Sequence, residues 1–100
     1  VKPSQIETLI LNLTIPDPCG KGATISSPEF RKWEEDMQSY YDRLAELRRQ
    51  LWEAVPDSMP TWVRSAAYHA YIGAIEAAMQ WHRDVQRSHR ALAARSGQLR

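Results

Sequence analysis

Residues 16–24, PDPCGKGAT, bring glycine, lysine and a hydroxyl residue together much as a phosphate-binding loop does. Such a loop is built as G-x-x-x-x-G-K-[ST], so that backbone N–H groups wrap the phosphates, the lysine reaches them and the hydroxyl holds magnesium. Here Ile15 stands where the first glycine is needed, and Gly22 follows Lys21 where the hydroxyl is needed. No helix leaves at once, because a cap is first offered at Ser26 or Ser27. The segment reads as a linker, since Pro16, Pro18, Gly20 and Gly22 each interrupt regular structure.

The histidines raise the metal question. His82 and His89 are seven apart, which on a helix places them on one face but about 10.5 Å apart along the axis, too far to share one ion. His69 points elsewhere, and no E-x-x-H or H-x-x-x-H pair is present. Neither a di-iron bundle nor a helical zinc site therefore has its ligands. A histidine at the edge of a packed face is the expected role, and His82 buried at an interface would make association pH-sensitive.

Glu34, Glu35, Asp36, Asp42, Glu46 and Glu53 alternate with Arg31, Lys32, Arg43, Arg48 and Arg49. At helix-pair spacing they predict a solvated, ion-paired face, with Lys32 against Glu35 and Arg49 among Asp42 and Glu46. The serines lack a G-x-S-x-G elbow, and no Asp or Glu is expected to orient a histidine. A non-enzyme with no cofactor and no metal is expected. Arg83, Arg87, Arg90, Arg95 and Arg100, opposed only by Asp84, form the basic cluster. Pairing with Glu29, Glu34, Glu35 and Asp36 across a hairpin is favoured, which also suits both helix dipoles. Binding to a partner comes next, and nucleic acid is the least favoured reading.

With 100 residues, the chain predicts one small domain, of a size at which partners often supply missing burial. Thirteen basic against twelve acidic residues give a net charge of +1, which makes no general case for nucleic acid or membrane surfaces. A single cysteine, Cys19, suits a reducing, cytoplasmic setting. No membrane span and no basic-then-apolar leader is read in these residues.

Residues 28–55 predict the first helix. Ser26 with Glu29 reads as a capping box, and Ser27–Pro28 as an alternative cap. Phe30, Trp33, Met37, Tyr40, Leu44, Leu47, Leu51 and Ala54 advance by alternate steps of three and four, a heptad seam that packs one helix along another. Tyr41, Trp52 and Val55 widen it. Residues 56–60 form a proline-bounded turn, so that a second helix over 61–95 returns antiparallel. That helix carries two apolar stripes. One is Ala67, Tyr71, Ala74, Ala78, Trp81, Val85 and Leu92; the other is Tyr68, Ile72, Ile75, Met79, His82 and His89.

A hairpin covers only one of these stripes. Trp33, Met37, Tyr40, Leu44, Leu47, Leu51, Tyr71 and Trp81 are assigned to the hairpin or dimer core, and Tyr68, Ile72, Ile75, Met79 and His82 to partner binding. Residues 1–15 form an N-terminal segment in which Ser4 and Glu7 suggest a capped short helix, although Leu9, Leu11, Leu13 and Ile15 alternate like a strand. Residues 16–27 are the linker. The expected fold is all-α: a long antiparallel two-helix hairpin with a short N-terminal segment, completed as a bundle by dimerisation.

LWEAVPDSM, residues 51–59, followed by YIGAIEAAMQWH, residues 71–82, resembles the small helical quorum-sensing antiactivators of the TraM kind. There a helix ends in an L-F-Q-A-L-P-E-T type of stretch, and the next carries Y-I-x-A, then an acid, a methionine and a histidine. The matching positions are Leu51, Trp52, Ala54, Pro56 and Asp57, then Tyr71, Ile72, Ala74, Glu76, Met79 and His82; after Ala74 the spacing differs. The resemblance implies a dimeric, non-catalytic helical protein that binds a LuxR-type transcription activator, LasR-like, and prevents its dimerisation or DNA binding. A helical chaperone or structural subunit of a secretion or phage assembly is the alternative reading, and a basic nucleic-acid-binding bundle a second.

Overall fold

The computed structural model describes residues 2–17 and 27–98, and the side chains of these up to residue 95. Within them lie three helices, α1 (Pro3–Leu11), α2 (Pro28–Ala54) and α3 (Thr61–Gln98), and no strand. Within residues 4–15 the helix reading therefore holds as far as Leu11, and residues 12–15 form neither helix nor strand. The glycine–lysine motif and most of the predicted linker lie outside the described residues.

Each helix starts for a local reason. Lys2 N–H donates to Gln5 Oε1 at 3.0 Å and Pro3 takes the first turn of α1, so this helix opens two residues before the expected Ser4–Glu7 box. Ser4 lies inside it instead, its carbonyl accepting from Thr8 Oγ1 at 3.0 Å. Ser27 caps α2, its Oγ accepting from Phe30 N–H at 3.1 Å, with Pro28 at the first helical position. The Ser27–Pro28 alternative is therefore the one used.

The chain leaves α2 at Val55, which is extended, and turns with Met59 N–H donating to the Pro56 carbonyl at 3.1 Å. Pro60 then accepts from Val63 and Arg64 N–H, while the Arg64 guanidinium reaches Asp57 Oδ1 at 3.3 Å. α3 continues three residues beyond the expected 95. At 1.5 Å per residue its 38 residues run about 57 Å. They account for most of the long axis of a 64 × 22 × 17 Å rod.

Aromatic side chains hold α2 to α3 along its length. Trp52 stacks on Tyr71, centroids 5.6 Å apart and planes at 14°, and meets Tyr68 at 5.1 Å. Trp81 meets Trp33 edge-on at 5.4 Å and Tyr41 at 5.8 Å. Ala74, between these clusters, is buried, because a small residue lets the backbones approach.

The heptad seam of α2 is shared between two neighbours. Leu47 and Leu51 are buried with Ile6 of α1, and Ile10, Leu13 and Ala54 pack around them. α3 is met through Trp33, Tyr41 and Trp52, two of which flank the seam. Met37 is buried, whereas Trp33, Tyr40, Leu44, Tyr71 and Trp81 are half-buried. The reason is geometric: a straight helix drifts about 20° per heptad, so a seam of this length cannot keep facing one uncoiled partner.

Candidate protein-binding surface

α1 and α3 both rest on α2 without packing on each other. The valley left between them has a volume of about 480 Å³. It is lined by Leu51 of α2 and Val55 just past its end, by Val63, Ala66 and Ala70 of α3, and by Pro3 and Glu7 of α1. Met59 and Trp62 also line it, Trp62 with 74% of its surface exposed. An indole so placed, beside a largely apolar hollow, is the residue type that anchors protein interfaces.

The stripe assigned to partner binding lies on the other flank of the hairpin. Ile75 and Met79 line a shallow hollow with Asp42, Ala45, Glu46 and Arg49 of α2, and Met79 is 54% exposed. The hollow continues past Met79 to His82, Arg83 and Gln38. Tyr68 is exposed but already touches Trp52, and Ile72 is half-buried. The stripe is thus partly spent on the hairpin at its start and open further along.

An ion-paired row borders this hollow. Arg49 bonds Glu46 and also reaches Glu53 at 2.7 Å, while Gln38 donates to Asp42 at 2.8 Å. Hydrogen bonds from Arg49 and then Gln50 hold the Glu46 carboxyl down at about 2, and Glu46 and Glu53 together hold the Arg49 guanidinium even more firmly charged than usual. Lys32 pairs with Asp36 at 3.4 Å, one residue beyond the expected Glu35. Apolar centre and charged margin together resemble the anatomy of an interface.

Two expectations about charge need correction. Among the described residues, Arg83, Arg87, Arg90 and Arg95 form no ion pair with the acids of α2. Arg83 instead donates to Gln80 at 3.1 Å. The link across the hairpin is His89, whose Nε2 lies 2.9 Å from Glu34 Oε2, so a carboxylate does orient a histidine. Glu34 is 55 residues away in sequence, beyond the reach of any local motif. His82 sits with Gln86 at 3.1 Å and His69 near Ser65 at 3.4 Å, so the histidines have separate partners. Among the described residues no three His, Cys, Asp or Glu side chains gather as a metal site, and no helix is long and apolar enough to cross a membrane.

Sequence reasoning passed over Trp62 and Met59 as surface residues. Their signal was present, a tryptophan one residue inside a helix that begins at a proline turn, where no hairpin partner is available to cover it. No family model, no curated protein and no solved structure matches the chain.

Proposed function

We propose that this chain is a protein-binding negative regulator, an antiactivator of the QslA and TraM kind. It sequesters a LuxR-type transcription activator, LasR-like, and blocks its dimerisation and DNA binding. It acts without catalysis, cofactor or metal, as a cytoplasmic homodimer.

The observation that carries this reading is apolar surface left uncovered on two flanks of one hairpin, Trp62 and Met59 on one side and Ile75 and Met79 on the other. Two such surfaces suit a molecule with two protein contacts. In this reading the valley beside Trp62 takes a second copy, and Tyr68, Ile72, Ile75, Met79 and His82 take an apolar helix of the activator. Helix laid on helix is a common mode of recognition, and it competes directly with any partner that the activator would bind through the same helix.

The test is light scattering on the purified chain, alone and mixed with the ligand-binding domain of a LuxR-type activator. The expected result is a dimer that forms a defined complex and leaves the activator unable to pair with itself. A dimer indifferent to the activator refutes the antiactivator reading in favour of an assembly chaperone or structural subunit. Salt-dependent binding to duplex DNA would instead assign the arginines of α3 to nucleic acid.

A further inference from the structure

At the open end of the hairpin a separate notch of about 280 Å³ lies between the start of α2 and residues 81–88 of α3. Phe30, Trp33 and Trp81 line it, with Glu34 and Asp84 among the same lining residues. The two indoles are 5.4 Å apart with planes at 83°, which makes them adjacent walls of a box, and Phe30 extends the wall from Trp33 at 5.4 Å and 57°. Aromatic faces attract cations through the negative potential above the ring, and attraction grows where water is excluded.

The carboxylates supply the second half of such a site. The Glu34 side chain is only 11% exposed; Oε2 meets His89, and Oε1 is buried without a hydrogen-bond partner. Trp33 Nε1 is likewise buried without one. Glu34 thus brings to this end of the hairpin a nearly buried carboxylate with one oxygen in no hydrogen bond to another protein group. Asp84 is exposed and accepts from Gln80 at 2.8 Å, and among the described residues no lysine or arginine pairs with either carboxylate.

We propose that this notch binds an organic cation, an alkylammonium or guanidinium group, with Trp33, Trp81 and Phe30 as its walls and Glu34 and Asp84 as its counter-charges. The same chemistry is offered by a free quaternary ammonium compound and by a basic side chain of a bound protein. This site lies away from the valley beside Trp62 and does not depend on the activator-binding reading.

The experiment is a titration of the full ¹⁵N-labelled chain, following the indole N–H signals at constant ionic strength. Probes are choline, N-acetylarginine amide and 3,3-dimethylbutanol, the last being the uncharged isostere of choline. Saturable shifts at Trp33 and Trp81, with a cation favoured about tenfold or more over the alcohol, are expected. Glu34→Gln, and separately the milder Asp84→Asn at an exposed position, should weaken the cation several-fold and leave the alcohol unchanged. Stronger binding of choline identifies a free quaternary amine, and stronger binding of the arginine probe a protein side chain. Equal response to the alcohol, or no saturation up to about 0.1 M, overturns the proposal. So does a response that neither substitution alters.

Discussion

His89 Nε2 lies 2.9 Å from Glu34 Oε2 and ties the last third of α3 to the first turns of α2. Glu34 is 11% exposed, so removing its partner leaves a nearly buried carboxylate with both oxygens unpaired. His89→Ala should destabilise the fold by about 1 kcal/mol, below the range of roughly 1.5–3 kcal/mol for a hydrogen bond to a charged group because His89 is itself 45% exposed. Amide exchange of α3 around residues 85–92 checks it. Unchanged protection there would show that the aromatic contacts alone close this end.

Ile6 and Leu47 are the most deeply buried side chains, at 2% and 1% exposure. Leu47→Ala should destabilise by about 2–5 kcal/mol in urea unfolding. Ile6→Ala removes the main anchor of a nine-residue helix, which is too short to persist unpacked. It should abolish amide protection in α1 while the hairpin remains protected.

Glu46 titrates unusually low because Arg49 and Gln50 bond its charged form. Its folded value is depressed, so the stabilisation is present above the ordinary value of 4.5 and is lost as pH falls through about 2. In a carboxyl NMR titration the Glu46 midpoint should lie near 2, and Arg49→Gln should move it up toward 4.5. A wild-type midpoint at 4.5 would mean that solvent dissolves this surface pair.

Gly73 lies within α3, exposed, and a Cβ added there meets nothing within 4 Å. Gly73→Ala should stabilise the chain by roughly 0.5–1 kcal/mol, since alanine loses less backbone freedom in a helix. Thermal unfolding at matched concentration measures it. A fall in melting temperature would show that another chain approaches this point.

The two proposed interfaces predict opposite profiles for two substitutions. Trp62 is 74% exposed, so Trp62→Ala should change monomer stability by less than about 0.5 kcal/mol yet disrupt self-association. Ile75→Asp should cost several-fold to orders of magnitude in activator binding, because an unpaired charge would be desolvated, and leave the dimer intact. Light scattering of each variant, alone and with the activator domain, separates them. Retained complex formation by folded Ile75→Asp removes this stripe from the target interface.

Helix existence, the proline turn and the Ser27 cap were legible in the sequence, because each depends on residues within one or two turns of each other. The apolar seam of α2 was legible as a stripe, and its ownership was not. Periodicity marks which side chains avoid water, but Leu47 and Leu51 go to α1 and Trp52 to α3 only once the helices have been placed. The expected arginine pairs failed for the same reason. Long exposed side chains gain little from any one ion pair, so backbone placement put His89, and not an arginine, beside Glu34.

The sequence by itself thus determined an all-helical chain with a long antiparallel hairpin, since capping, proline geometry and hydrophobic period act locally. Only the tertiary structure decided which apolar residues stay uncovered, because that depends on where α1 docks. Seated on Leu47 and Leu51 of α2, with its backbone apart from that of α3, α1 borders the valley beside Trp62, and no local pattern specifies a gap between two helices that each pack on a third.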